Sequence, residues 1–535
     1  MIRALSSNSR VTVRYKASTA STWRGAHPLL RIHPEWSEGS APILPVDSFA
    51  GTIFDLAPAT TYDIEITLEE PGKPNQSLVT SASTRALPPI ASAPTKTATA
   101  ADNLQSKLAS LVPGDVLELA NGNYNVSTLQ LTRSGTAAQP IYIRGASRGG
   151  VKLRNAGTIL QLQAASHIVV ENMTLEGSGV DSGTNASSVA VSFWSGATQE
   201  NVTLRDLDIT GVDMGIVGNG TARSVLVYNS SLRGNNVWTA NFIHTNLTWN
   251  DDGIRLPGEG NAAFENTLHG FGDAFAVISG VHSAGVYFYR NRITMSGDDA
   301  FEADYSTRNI AFYDNYVSNV ATLLSLDPVY GGPLYCFRNI AVNTSRGPFK
   351  FNNTNSGFMV YNNTIVRTEG RTGWAWVQFN NGPLRNWSYR NNLLIYRGSG
   401  SPLAIDSDAN SPIDFTHNAW YPDGPFGWAA SGGSFSSLAA ARLGLPATSP
   451  VFGTSTARHQ SDVILISDPF VTAVTLGQDH LTEIVATTVP TLRAGVSAKA
   501  SGTPIPNITD GYSGAAPDMG AIMDGRPIPR WGALR

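Results

Sequence analysis

The chain has 535 residues, of which 15% are charged, and a net charge of -4. A soluble domain usually carries about 25% charged residues, and the shortage of charged helix-forming runs beside 51 glycines points to strands and turns. The lack of a basic stripe excludes nucleic acid as a partner. No run of roughly 18 apolar residues is present to span a membrane. The single cysteine, Cys336, excludes an internal disulfide and, in the alternating run PLYCFRN, reads as a small core residue.

In chain order, residues 1–87 read as a small β-sandwich. RVTVRY alternates, and GTIFDLAPATTYDIEITLEE gives a strand, a turn and a second strand. LAPATTYDIEI resembles the corner of fibronectin type III domains, where a Tyr follows a Leu-x-Pro-x-Thr turn. The strand that usually opens such a domain is not found before VTVRY, so a trimmed start is expected. Residues 88–100 form a Pro/Ala/Thr linker. NLQSKLASLVPGDVLELANGNY then predicts a short amphipathic helix, a Pro-Gly turn and a strand.

Over residues 101–425 an Asn recurs in one local context: Asn229, Asn266, Asn291, Asn315, Asn339, Asn363, Asn392 and Asn418. Four of the intervals are 24 or 25 residues, and each Asn lies between short strands. That period is the mark of a parallel β-helix, with the Asn side chains stacked into a ladder at a turn. The expected fold is therefore all-β: a right-handed parallel β-helix with a small N-terminal β-sandwich. PFGWAASGGSFSSLAAARLG reads as a helical insertion, and residues 426–535 as insertion and cap.

Five rungs align on their apolar residues: DGIRL (252–256), DAFAV (273–277), DAFEA (299–303), TLLSL (322–326) and GPFKF (347–351), followed by GWAWV (373–377). The third and fifth positions face the core. The fourth faces solvent and reads Arg255, Ala276, Glu302, Ser325, Lys350, Trp376. The first position gives Asp252, Asp273 and Asp299, with Asp251 and Asp298 beside them, so the acids of SGDDAFEADYS form one patch.

Three functions suit such a patch. In the first, the carboxylates hold a calcium ion, which takes several hard oxygens. The ion binds the carboxylate of a uronic acid and acidifies the neighbouring C–H bond, and a base completes β-elimination. Lys350 is the candidate base, its pKa depressed by nearby positive charge such as the metal, Arg255 or Arg346. Arg346 joins it as the candidate catalytic pair. GDAFA, GDDAFE and RGPFKF resemble the site of family-nine polysaccharide lyases, β-helix enzymes with comparable rungs. The resemblance implies calcium on Asp273, Asp298, Asp299 and Glu302, and Lys350 as base. Glu302 stands where that family has Asp, Ala300 where it has Gly, and one additional rung separates the acids from Lys350. Substrate contacts are assigned to Arg255, Asp252, Asp304, Tyr305, Trp374 and Trp376. The exposed indoles and the Tyr suit sugar rings.

The second function is an inverting glycoside hydrolase, with Asp252 or Asp273 paired with Asp299. An Asp rung followed by Asp-Asp also resembles polygalacturonases, but their Gly-His-Gly rung is missing. The third is a non-catalytic glycan-binding solenoid whose acids hold a structural ion. His244, His269 and His282 lack metal-ligand spacing and read as structural. The lyase is the favoured expectation: a monomer acting on an anionic polysaccharide, secreted or periplasmic, although no signal peptide is read.

Overall fold

The structure is a computed structural model that describes residues 8–36, 45–91, 93–179, 188–193, 196–235, 251–277, 283–368, 377–379, 382–398, 403–405, 412–428, 433–449, 451–452, 457–476 and 485–534. It opens with five antiparallel strands in the order Phe49–Ala50, Arg24–Arg31, Arg10–Ala17, Thr61–Glu69, Gln76–Ser83. Val11, Val13 and Tyr15 alternate inward as the sequence pattern requires. At the predicted corner, the Tyr62 hydroxyl accepts a hydrogen bond from the backbone N–H of Ala57 at 2.9 Å.

The rest is a right-handed parallel β-helix of about 11 turns, in a chain only 4% helical. Each coil contributes strands to three stacked faces. On the first, Ile310–Tyr313 pairs with Leu334–Phe337 and that with Phe358–Tyr361. On the second, Tyr316–Ser318 stacks on Ile340–Val342 and then Thr364–Val366. On the third, Leu324–Leu326 stacks on Phe349–Phe351 and then Val377–Phe379. Phe275, Phe288, Phe301 and Phe312 point inward with centroids 4.6–5.2 Å apart for successive pairs, the outer two pairs stacked and Phe288–Phe301 edge to face.

The corner between the first and second faces carries the ladder. The N–H of Asn266 donates to Oδ1 of Asn291, and the same bond repeats through Asn315, Asn339, Asn363, Asn392 and Asn418 at 2.9–3.0 Å. The residue before each Asn turns the chain with a positive φ of 50–58°. Asn229 does not belong to the ladder. It takes that left-handed position itself, φ 50°, and the N–H of Ser230 donates the rung's bond to Oδ1 of Asn266.

Helix Leu104–Ala109, N-capped by Asn103, closes the starting end with Leu104 and Leu108 in the core. At the other end, Leu438–Gly444 does the same with Leu438 and Ala441. The expected helical insertion is only partly helical. Phe426–Trp428 and Gly433–Phe435 form an antiparallel pair before the helix, with Phe426 and Trp428 plugged into the core.

Among the described residues, the N-terminal segment packs on later coils rather than the first. Phe54 packs against Tyr313, Tyr335 and Phe337 on the first face, with centroids 4.8–5.4 Å away. Arg338 holds Asp314 and Asp55 together at 2.7 and 3.2 Å. The second face of the later coils, Tyr316 to Ala419, is covered by apolar residues between Leu465 and Ile522. Two outer faces are thus spent on packing, and the third carries the acids.

Candidate active site

The register of the third face matches the sequence alignment over five rungs. Asp252 pairs with Asp273, Phe275 with Phe301, Asp299 with Thr322, Glu302 with Ser325, and Ser325 with Lys350. The sixth rung slips by two residues: Gln378, not Trp376, lies beside Lys350. Trp374 and Trp376 lie outside the described residues, as do His244 and His282.

The column is not a wet surface. Asp252 and Asp299 are fully buried, and Asp273, Glu302 and Asp304 nearly so. Buried like charges need partners. Lys350 Nζ lies 2.7 Å from Asp299 Oδ2 and 3.7 Å from Asp298 Oδ1, despite the rung between them. Arg346 Nη1 donates to Asp298 Oδ1 at 3.0 Å. Arg255 Nη1 is 3.0 Å from Asp252 Oδ2. Ser325, on the intervening rung, donates to Asp304 Oδ1 at 3.2 Å, a contact the sequence reading did not assign. Tyr305 is 40% exposed and Tyr330 is buried, with ring centroids 6.5 Å apart. Asp327 is held by Asn352 and Asn353 and belongs to neither triad, although its charge adds to the raising of Asp304.

The acids form two triads rather than one four-residue set. Asp273, Asp298 and Asp299 bring carboxylate oxygens within 4.8 Å of one another, and so do Asp252, Asp273 and Glu302. Burial pushes Asp252 up to about 6 against the pull of Arg255. Burial, then the Asp298 charge, pushes Asp299 up to about 6. Asp273, Glu302 and Asp304 rise well above the usual carboxylate range, chiefly by burial. Lys350 corrects the expectation of a depressed base. Burial lowers its pKa, but Asp299 and Asp298 outweigh burial and hold the ammonium well above its ordinary value. His269 rests against Thr294 Oγ1 at 3.0 Å, apart from the triads.

No protein-family model matches the chain, and no curated protein matches it. Among solved structures it is similar to the PL6 family alginate lyase AlyGC, at 15% identity, 60% of this chain, 51% of the lyase and a TM-score of 0.41. It is similar to the pectate lyase Pel9A at 16% identity, 81% of this chain, 97% of that one and a TM-score of 0.39. It is also similar to a family 28 exopolygalacturonase of Yersinia enterocolitica at 11% identity, 77% and 94% coverage and a TM-score of 0.37. The chain spans about half the length of that alginate lyase.

Proposed function

We propose that the protein is a polysaccharide lyase that cleaves a uronic-acid-containing polymer by β-elimination. The observation that carries the reading is the triad of Asp273, Asp298 and Asp299 within 4.8 Å, with Lys350 2.7 Å from Asp299. Carboxylates this close suit a shared cation. An inverting hydrolase separates its two by about 6.5–9.5 Å to admit water and sugar. The oxygens Asp273 Oδ2 and Asp299 Oδ1 are buried with no hydrogen-bond partner, so the donor set fits a calcium ion. Bound there, calcium would neutralise the uronate carboxylate and acidify the adjacent C–H bond.

Lys350 Nζ takes that proton. The C–H electrons form the new C=C bond, the C–O bond to the 4-linked sugar breaks, and the departing oxygen takes a proton from solvent water, while Lys350 later returns its own proton to solvent. Asp298 and Asp299, which hold the ammonium, are also carboxylates that would hold calcium, so a bound ion would offset the negative charge that keeps Lys350 protonated. Arg346 and Arg255 complement an anionic chain, and Tyr305 presents its exposed ring to a sugar. Such a substrate places the protein outside the cell membrane, secreted or periplasmic.

The test is ultraviolet absorbance of the unsaturated uronate over a panel of uronic-acid polymers, with and without chelator. A rise that chelator abolishes is expected. New reducing ends without absorbance, formed despite chelator, would replace the lyase with a hydrolase using Asp252 and Asp299. Both of these carboxyls are shifted to about 6, which supports that second reading.

A further inference from the structure

We propose a second divalent-cation position beside the first, held by Asp252, Asp273 and Glu302, with the Asp273 carboxylate shared between the two ions. The inference deepens the lyase reading and rests on it only for the ion at Asp298 and Asp299.

The column pairs of the two triads are offset by one rung, and both flanking acids come from the strand that carries Asp299. Asp252 and Asp273 are register partners on successive rungs. Asp273 and Asp299 are again successive, and Asp273 Oδ1 accepts the N–H of Asp299 at 2.9 Å. Each triad is therefore two column acids plus one flanking acid, Glu302 in one and Asp298 in the other. A step of one rung is about 4.8 Å. That is close to the roughly 4 Å over which paired catalytic cations share ligands.

The free oxygens point the same way. Asp252 Oδ1 and Glu302 Oε2 are buried without a hydrogen-bond partner, and Arg255 approaches only the other oxygen of Asp252. Such groups cost about 1–3 kcal/mol each when left unsatisfied.

Charge decides the number of ions. Of Asp252, Asp273, Asp298, Asp299, Glu302 and Asp304, three have a cationic partner: Arg255, Arg346 and Lys350, respectively on Asp252, Asp298 and Asp299. Three carboxylates remain uncompensated. With Lys350 neutral, as a base must be, one divalent ion leaves these groups at minus two, which repels an anionic substrate, and two bring them to zero.

Calorimetric titration of the chelator-stripped protein with calcium alone tests this. Two equivalents per chain are expected for the wild type, and one each for Asp252→Asn and Asp298→Asn. One equivalent in the wild type, kept by Asp252→Asn and lost by Asp298→Asn, overturns the second position and leaves the lyase reading standing. No calcium bound by the wild type overturns both. Anomalous scattering from crystals soaked in terbium gives an answer that needs no variant. Two peaks one rung apart are expected, and a single peak refutes the proposal.

Discussion

Lys350 stands two rung steps from Asp299, with one rung between, about 9.6 Å by strand spacing, and only a long side chain closes that gap. The small Ser325 between them leaves the path open. Lys350→Arg tests what the lysine does there. Arginine keeps the positive charge beside Asp299 but is not deprotonated in proteins. Elimination should fall by about 10²–10⁴-fold, the usual worth of a positioned base, while the melting temperature stays near that of the wild type. Undiminished turnover by this variant would remove Lys350 from the base role. Lys350→Met has a different expected effect. It strands Asp299 in the interior without its partner, and loss of one member of a buried pair costs about 3–5 kcal/mol in urea unfolding.

At the scale of elements, the Asn ladder ties each coil to the next. Asn339 Oδ1 accepts from both the N–H and the side-chain amide of Asn315, at 3.0 Å each. Its own Nδ2 donates to Phe312 O at 2.8 Å and Asn363 Oδ1 at 3.0 Å. Asn339→Ala leaves those buried groups unpaired, and a loss of about 2–5 kcal/mol is expected from the urea midpoint. Asn418, whose acceptor is the terminal Asp462, tests the end of the same chain of bonds. The ladder was legible because a turn that recurs every coil imposes one period on the sequence. The misplaced Asn229 shows the limit: Asn suits both the left-handed position and the ladder position, and only the coil geometry separates them. The third-face register was legible for the same reason over five rungs, since aromatic and branched residues at two fixed positions anchor each one. It failed at the sixth, where Ala375 and Val377 offer the apolar spacing of Val377 and Phe379 two residues early. The ion pairs were not legible. Arg346 and Asp298 lie 48 residues apart, and their meeting depends on side-chain reach across stacked coils.

For the whole molecule, the seam between the N-terminal strands and the first face contains an acid-sensitive group. His27 is buried, with its ring 5.7 Å from Tyr335, 5.5 Å from Tyr361 and 5.0 Å from Phe452. Its Nδ1 lies 2.9 Å from the Pro28 carbonyl. Burial lowers its pKa from 6.5 to about 4, and the charge of Arg390 pushes the same way. The folded chain therefore keeps His27 neutral where the unfolded chain takes up a proton. Above pH 6.5 both states are neutral and nothing is lost. As pH falls from 6.5 towards 4, the unfolded state gains protons that the folded state refuses. Stability then drops by about 1.4 kcal/mol per pH unit, to a total near 3 kcal/mol. The raised carboxyls of the third face act in the opposite sense, so the expected signal is a difference between proteins. His27→Phe keeps an aromatic ring in an aromatic seam and removes the titration. Urea midpoints of the wild type and of His27→Phe, measured between pH 7.5 and pH 4, should diverge in favour of the variant as the pH falls. Parallel curves would show that the seam carries no protonation penalty. The N-terminal strands would then be held by Phe54 and Arg338 irrespective of pH.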